Sequence, residues 1–200
     1  MLDDLGLVIV FSDVELAGLV ELDTCLAKLY EQMQSEPHLL HPSVHEMAES
    51  FTQGNACMIL EKESFCPVAF ARLIFLTSSG SDNWYEFGTV FVSKNYRGVG
   101  LGTVMYQIFI SKHEKLGKKI LGTTTNPAAI RVGQKCGFVM WKRRDLPEEI
   151  WRSSCVCSIN KTGPSGPDRC RLAYGEEQAE GEGLCYFRLS PETNLKQVKS

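Results

Sequence analysis

The stretch of sequence that decides the fold is Val90-Phe91-Val92-Ser93-Lys94-Asn95-Tyr96-Arg97-Gly98-Val99-Gly100-Leu101-Gly102-Thr103. An apolar strand pattern leads into a turn with glycine at every second position, and a helical pattern begins immediately after it. Glycine lets the backbone curl and approach a ligand without an intervening side chain. The amides at a helix start, with the helix dipole behind them, form an anion site, and Arg97 adds a fixed positive charge. The stretch therefore predicts a phosphate-binding loop between a strand and a helix.

Three kinds of phosphate-binding loop have glycines in a comparable arrangement. A Walker loop needs a lysine after its last glycine, and none follows Gly102. A dinucleotide fingerprint needs a third glycine where this chain has Thr103, and the strands before the loop are typical of a meander rather than of a βαβ unit. The third pattern, Arg/Gln-x-x-Gly-x-Gly/Ala, is satisfied by Arg97, Gly100 and Gly102.

The segments on either side of the loop predict one mixed α/β domain over residues 1–200. Before the loop we expect a strand at 7–11, one long helix from Ser12-Asp13 through Tyr30, a helix from Pro42-Ser43 to Gly54, and strands at 56–62, 68–76 and 84–92. After the loop we expect a helix to about Leu116, whose buried side chains are Leu101, Val104, Met105, Ile108 and Phe109. We then expect a strand at 119–124, a helix from Pro127 and a strand at 138–143. An irregular cysteine-containing insertion at 148–183, which begins with a short helix, precedes a last strand at 184–189.

Two further motifs accompany the loop. The chain has Asn126-Pro127-Ala128-Ala129 after the next predicted strand, followed by the pair Gly137-Phe138. With the order of elements, these motifs make the chain similar to the GNAT superfamily of N-acetyltransferases over nearly all of residues 1–190. The resemblance implies an acyl-CoA N-acyltransferase fold. Its features are a single central, mostly antiparallel sheet, two splayed parallel strands and flanking helices.

The resemblance also implies a cosubstrate, acetyl-CoA, bound in the opening between the splayed strands. It implies that backbone groups of Phe91 and Val92 pair with the pantetheine arm. The pyrophosphate would be held by Arg97 and by the amides of the residues after it, namely Gly98, Val99, Gly100, Leu101, Gly102 and Thr103. Asn126, at the end of the next strand, would contact the cosubstrate.

The chain has a candidate for the catalytic base but lacks the expected catalytic acid. Glu86 lies where many family members carry a general base, although a glutamate at a strand edge can also simply pair with a nearby cation. Gly88 is a candidate for the bulge that splays the strand, and Tyr85 is a candidate substrate contact. The family often has a tyrosine, the general acid, four residues before the Gly137 position, and this chain has Gly133 there. Possible replacements are Tyr96, Tyr106, Cys136 and water.

These features lead to two functional hypotheses. The first is direct acetyl transfer from acetyl-CoA to an amine of a small molecule, peptide or protein. The second, motivated by Gly133 and by the insertion, is an acyl-CoA-binding module without catalysis, acting as a sensor or partner-docking protein. The acceptor amine has no diagnostic motif, and a fold alone does not define it.

Charge and hydropathy restrict the partners. The formal net charge of -3 predicts no general attraction to nucleic acid or to anionic membranes, and Lys142-Arg143-Arg144 is either a nucleic-acid patch or a solvated strand end. No targeting segment or membrane-length apolar stretch is visible, so we expect a cytoplasmic protein, as a monomer or homodimer.

The eight cysteines are scattered along the chain. Cys155, Cys157, Cys170 and Cys185 are either reduced thiols, zinc ligands or disulfide partners. His38, His41 and His45 lie near the two N-terminal helices and are expected to line the acceptor site or the surface, with a metal site at His41 and His45 as the alternative. His113 is expected to be solvated, and no metal is predicted.

Overall fold

The computed structural model describes residues 1–17, 20–36, 39, 41–124, 126–141, 147–154 and 186–191. They form a mixed α/β protein with two compact units, Met1–Ile74 with Phe87–Met105, and Phe75–Glu86 with Tyr106–Ser200. Seven strands belong to one sheet, and its third and fourth strands contribute residues to both units. The predicted fold class, a single mostly antiparallel sheet with flanking helices, is confirmed.

The first unit contains four strands in the order β1-β2-β3-β4. Its elements are β1 (Leu7–Val10), α1 (Asp13–Ala17), α2 (Leu22–Met33), α3 (Val44–Thr52), β2 (Ala56–Glu61), β3 (Pro67–Ser79), β4 (Asp82–Val92) and α4 (Leu101–Met105). The pairs β1–β2 and β2–β3 are antiparallel. Apolar side chains of α2 and α3 pack on the strands, with Leu26, Leu29, Met47, Phe51 and Phe70 fully buried.

The N-terminal helical region differs from the prediction in one respect. The single helix expected from Ser12-Asp13 through Tyr30 is two helices, because Glu21 has an extended backbone (φ -67°, ψ 130°) and α2 starts anew at Leu22. The helix predicted at Pro42-Ser43 is confirmed as α3. Ser43 and Glu46 form a reciprocal capping box at its start, and Gly54 adopts a left-handed φ of +66° just beyond its end.

The second unit contains the parallel strand pair. Its further elements are a π-helical segment (Tyr106–Ile110), α5 (Ser111–Lys115), β5 (Lys119–Thr124), α6 (Pro127–Lys135), β6 (Val139–Trp141), α7 (Glu148–Ser154) and β7 (Tyr186–Leu189). The strand order is β3-β4-β5-β7-β6, and β7 is antiparallel to both of its neighbours. The described pairing of β4 with β5 runs from Trp84–Lys119 to Glu86–Leu121, although both strands continue further. The predicted parallel strand pair is therefore present.

The π-helical segment corrects two predictions about the helix after the loop. A π turn adds a residue to the helical repeat, so every later side chain is rotated relative to a regular α-helix. Ile108, predicted to be buried, is 43% exposed, whereas Tyr106 and Ile110 join Leu101, Met105 and Phe109 in the interior. His113, predicted to be solvated, is 1% exposed.

Among the described residues, no helix combines the length and apolar character needed to cross a membrane.

Candidate functional site

The predicted phosphate-binding loop has the backbone that its glycines require. Gly98 and Gly100 have φ values of +86° and +94°, in the region that side chains with a Cβ avoid. A Cβ added at Gly98 would meet no atom within 4 Å, so this part of the backbone is open to a ligand. The helix begins at Leu101, and the Val104 amide donates to the Gly100 carbonyl at 3.1 Å. The first amides of that helix therefore belong to the loop that could hold an anion.

Arg97 is already engaged by two protein groups. Its Nη2 lies 2.6 Å from Oε1 of Glu36, and its Nε donates to the Val92 carbonyl at 3.0 Å. The Glu36 carboxylate also lies 4.0 Å from Nζ of Lys94. The guanidinium stays about half exposed, so an anion can reach it from solvent. Sequence reasoning missed Glu36, because no local pattern links it to a loop that lies 61 residues away.

The strand residues before the loop have different environments. Phe91 is 4% exposed and its ring packs in the core of the first unit, so only its backbone can serve a ligand. The side chain of Val92 is half-buried, and its carbonyl accepts the hydrogen bond from Arg97. The Ser93 amide then donates to the Val68 carbonyl of β3 at 2.8 Å, which fixes the point where the strand ends and the loop begins.

Thr89, the residue after Gly88, has an unusual backbone conformation. Its φ is +49°, a left-handed value that is rare for a β-branched residue, and Thr89 is buried. The Thr89 hydroxyl accepts a hydrogen bond from Arg72 Nε at 3.3 Å. Glycine is the usual occupant of such a conformation, whereas here a threonine adopts it and a tertiary contact accompanies it. The bulge expected at Gly88 stays a prediction.

Glu86 is buried in β4, next to Leu121 of β5. Its carboxylate Oε1 accepts a hydrogen bond from the hydroxyl of Thr123, two residues further along β5. Side chains two apart in a strand share a face, so β5 presents the donor directly to the carboxylate. Thr123 is a site residue that sequence reasoning missed; its position in a predicted strand parallel to that of Glu86 was the available signal.

Asn126 caps the helix that follows β5. Its side-chain oxygen accepts from the Ala128 amide at 2.9 Å, and its own amide donates to Thr124 Oγ1 at 3.0 Å. The residue is exposed, and the nitrogen of its side-chain amide supplies the remaining donors. Pro127 at the first helical position strengthens the same boundary.

The candidates for the missing acid lie in different surroundings. Gly133 is buried on α6. The hydroxyl of Tyr96 donates to Glu61 Oε1 at 2.5 Å, and this hydrogen bond raises the pKa of Tyr96. Tyr106 is buried, with its ring edge-on to Phe138 at 5.3 Å, and burial raises the pKa of the Cys136 thiol. None of these three side chains occupies position 133, where the resemblance implies the acid.

Tyr85, the candidate substrate contact, is half-buried beside Phe75 and Lys118. The Phe75 ring meets the Tyr85 ring edge-on with centroids 5.5 Å apart, and Lys118 Nζ lies 4.7 Å from the Tyr85 centroid. Phe75 is itself exposed. The tyrosine therefore belongs to a small aromatic surface that Lys118 covers in part.

The described part of the chain contains no group of three or more His, Cys, Asp or Glu residues able to hold a metal. His41 is exposed, and its Nε2 lies 2.9 Å from the Glu36 carbonyl oxygen. Within the described residues, Cys25, Cys57, Cys66 and Cys136 form no disulfide bond. The cysteines predicted as a possible zinc site, the basic triplet at 142–144, and His38 all lie outside the described residues.

The candidate site residues belong to two different compact units of the structure. Phe91, Val92, Thr89, Arg97 and the glycine loop belong to the first unit, whereas Glu86, Thr123 and Asn126 belong to the second. In the first, an open glycine backbone and a half-exposed arginine suit an anionic group. In the second, a buried carboxylate beside a hydroxyl suits proton transfer.

Several solved structures share the fold of this chain. A Salmonella typhimurium protein described as a putative acetyltransferase, yncA, with its cofactor acetyl-CoA matches with a TM-score of 0.55 and 13% identity, over 92% of both chains. Rv2747 from Mycobacterium tuberculosis, in complex with CoA and NLQ, matches with a TM-score of 0.58 and 13% identity, over 92% of this chain and 98% of that one. Arabidopsis thaliana Naa50, in complex with the bisubstrate analogue CoA-Ac-MVNAL, matches with a TM-score of 0.56 and 14% identity, over the same fractions.

At these identities the structural similarity shows the fold alone. No match was found among curated protein sequences. The family is shown by sequence: the model of the acetyltransferase (GNAT) family matches residues 24–138, more than half of the chain and all of the segment that carries the loop, Glu86 and Asn126. The chain therefore belongs to the acetyltransferase (GNAT) family, whose cosubstrate is acetyl-CoA.

Proposed function

We propose that the chain transfers the acetyl group of acetyl-CoA directly to an amine nitrogen, with Glu86 as the general base. The observation that carries the proposal is the glycine loop. Gly98 and Gly100 hold left-handed backbone conformations beside Arg97, and a helix start follows at once. This arrangement suits a pyrophosphate, because backbone amides and one guanidinium face a single anionic group.

Different residues bind different parts of acetyl-CoA. The amides of Gly98, Val99, Gly100, Leu101, Gly102 and Thr103 hold the pyrophosphate, and Arg97 contributes its charge. Backbone groups of Phe91 and Val92 pair with the pantetheine arm, which requires Arg97 to release the Val92 carbonyl that it now holds. The side-chain amide of Asn126 supplies a further donor.

The chemistry requires one proton to leave the amine and one to reach the sulfur. The amine nitrogen attacks the acetyl carbonyl carbon, a C–N bond forms, and the C–S bond breaks with its electron pair on sulfur. Glu86 accepts the proton from the amine, and the Thr123 hydroxyl orients the carboxylate for that step. Water protonates the thiolate, since Gly133 has no side chain to do so.

The acceptor is an amine of a small molecule, a peptide or a protein. Structures of this fold are found with both kinds of ligand: the Naa50 structure contains a peptide bisubstrate analogue, and the Rv2747 structure contains CoA with NLQ. A panel of both acceptor classes, assayed by chromatographic quantification of released CoA, identifies the class. We also propose that the chain is a single domain that works in the cytoplasm as a monomer or homodimer, without nucleic acid or membrane as partner.

Two sets of variants, each with its own control, test the binding and catalytic roles separately. Arg97→Glu and Gly100→Trp are expected to abolish acetyl-CoA binding in calorimetry. Arg131→Glu, the same charge change at an exposed position on α6, is expected to leave binding intact. Glu86→Gln is expected to retain binding and to lower kcat about 10²- to 10⁴-fold. Glu63→Gln at an exposed turn is its control. Unchanged acetyl-CoA affinity in both loop variants would refute the binding site.

A second candidate function is favoured by the buried glycine at position 133. Without a side-chain acid, the chain could bind acetyl-CoA as a sensor or docking module and transfer nothing. The wild-type protein separates the two functions. Acetyl-CoA binding with no CoA release above the solution rate, across the whole amine panel, would support the sensor and exclude the enzyme.

A further inference from the structure

Thr89 is the point where β4 leaves regular extended geometry. Its φ of +49° places a buried, β-branched residue in the left-handed region. Such a conformation persists only where the surroundings determine it, and it changes the direction of the residues that follow. Here those residues are Phe91 and Val92, to which the proposed function assigns the pantetheine arm.

Arg72 is the group that contacts the Thr89 side chain. It lies in β3 with 9% of its surface exposed, and its Nε donates to Thr89 Oγ1 at 3.3 Å. Its Nη1 donates to the Glu46 carbonyl at 3.5 Å, and its Nη2 lies 3.8 Å from the Glu46 carboxylate. A planar guanidinium can donate in two directions at once, which a lysine ammonium on a flexible stem does less well.

Glu46 is held in turn by the start of α3. Its carboxylate Oε2 accepts from the Ser43 amide at 2.8 Å and from the Ser43 hydroxyl at 2.9 Å. The backbone and side-chain hydrogen bonds from Ser43 lower the pKa of Glu46, so the carboxylate stays charged at neutral pH. A continuous chain of contacts, Ser43–Glu46–Arg72–Thr89, therefore runs within the first unit from the start of a helix to the turn in β4.

We propose that Arg72 is a positioning residue for acetyl transfer: by holding the Thr89 hydroxyl, it fixes the turn in β4 that directs the following backbone amides at the thioester. The inference rests on the proposed function, since it assigns a role within the same site. Arg72 acts through Thr89. A misaligned strand would still hold the pyrophosphate through the loop, and only its contacts with the pantetheine arm would weaken. The defect should therefore be larger in turnover than in cosubstrate affinity.

The test is a double-substitution cycle at positions 72 and 89, followed by kcat, KM and acetyl-CoA affinity. Arg72→Gln and Thr89→Val are each expected to lower kcat about 10- to 100-fold, with a smaller loss of acetyl-CoA affinity. Thr89→Gly adopts positive φ without a partner and should lose less activity. In the Thr89→Gly background, Arg72→Gln should cause almost no further loss, because its target is gone.

Two measurements keep a folding defect from imitating this result. Thermal unfolding is recorded for every variant, and Thr89→Val tests the same contact without removing a buried charge. The three-bond HN–Hα coupling of residue 89 reports φ directly and should change in Arg72→Gln towards the value of an extended strand. Multiplicative losses in the double variant, or a loss confined to KM, would overturn the assignment.

Failure of the proposed function gives a different result. If the wild-type protein binds acetyl-CoA but releases no CoA with any amine, acetyl transfer is refuted and the role of Arg72 in it falls as well. If the wild type is active and the coupling at residue 89 is the same in Arg72→Gln, only the assignment of Arg72 is overturned.

Discussion

Arg97 Nη2 lies 2.6 Å from Glu36 Oε1, and this ion pair joins the phosphate-binding loop to the segment that follows α2. The same carboxylate lies 4.0 Å from Lys94 Nζ, so one negative charge faces two cations beside the loop. The arginine that we assign to the pyrophosphate is thus already paired with an internal anion. An incoming pyrophosphate has to compete with Glu36 for the guanidinium.

Glu36→Gln is therefore expected to raise the affinity for acetyl-CoA. Partly exposed ion pairs are worth about 0.2–1 kcal/mol, which corresponds to an increase of up to about fivefold. Isothermal calorimetry at low and moderate salt measures the change, and the difference between variant and wild type should shrink as salt screens the charges. Glu31→Gln, an exposed residue on α2, makes the same change in net charge and should leave the affinity nearly unchanged.

A fall in affinity in Glu36→Gln, with no fall in Glu31→Gln, would contradict competition. It would mean that the carboxylate holds Arg97 in its binding position.

Gly137 is a position where both conformation and space exclude a larger residue. Its φ is +84°, and a Cβ there would lie 2.9 Å from Cγ of Pro191, a rigid ring. Gly117 has φ +76° with nothing within 4 Å of its added Cβ. Gly117→Ala should cost about 1–2 kcal/mol of unfolding free energy from conformation alone. Gly137→Ala should cost about 1–3 kcal/mol more from the steric contact. Urea unfolding measures the free energy of unfolding of both variants. An equal loss in Gly117→Ala and Gly137→Ala would rule out the contact with Pro191.

Local signals in the sequence were sufficient for several elements. β5 was predicted as 119–124 and observed as Lys119–Thr124, because a short segment with three β-branched residues lies between the clear boundaries Gly117 and Asn126. The start of α3 followed from Ser43, whose side chain and Glu46 form the capping box. The loop backbone at Gly98 and Gly100 followed from glycine spacing. In each case the residues that determine the structure are neighbours in sequence.

Contacts between distant segments were beyond such reasoning. Glu36 and Arg97 are 61 residues apart, and Glu46 and Arg72 are 26 apart, so neither pair leaves a periodic pattern in the sequence. The left-handed residue in β4 is Thr89, which Arg72 contacts, and no local pattern in the sequence predicts a positive φ at a threonine. The sequence motifs could suggest candidate site residues, whereas the charged groups that contact them from distant segments could not be predicted.

The π-helical segment after the loop gives a direct stability test. A regular α-helix with Leu101 and Met105 inside would bury Ile108, yet Ile108 is 43% exposed and Phe109 is fully buried. Ile108→Gln is expected to change the free energy of unfolding by no more than about 0.5 kcal/mol. Phe109→Ala should lower it by about 3–5 kcal/mol. Chemical denaturation of both variants provides the comparison, and a large loss at Ile108 would indicate a regular helix instead.

The same register shift buries His113, whose side chain now faces Phe109 and Lys118. Its Nδ1 lies 3.0 Å from Lys118 Nζ, and its ring is edge-on to Phe109 with centroids 4.5 Å apart. Burial first, and then the charges of Lys118 and Lys112, lower the pKa of His113 to about 3. Since the lysine ammonium can only donate, the imidazole accepts at Nδ1 and is neutral in the folded state.

The stability of the protein should therefore fall as the pH drops below about 6.5. Between the unfolded pKa of His113, 6.5, and its folded pKa, about 3, the unfolded chain binds one more proton than the folded chain. The contribution of His113 is complete above the unfolded pKa and is lost towards the folded one, with a slope of about 1.4 kcal/mol per pH unit. Urea unfolding from pH 4 to pH 8 measures this slope together with that of the acidic groups.

The variant His113→Gln isolates the contribution of His113 to the pH dependence of stability. Glutamine can still accept the hydrogen bond from Lys118 through its carbonyl, but it takes up no proton in this range. The variant should be less stable than wild type at pH 7, because the contact with Phe109 is weakened. Between pH 6 and pH 4, the stability of the variant should decline with a slope that is smaller than that of the wild type by about 1.4 kcal/mol per pH unit. Parallel curves for the two proteins would show that His113 titrates normally in the folded state and is accessible to water there.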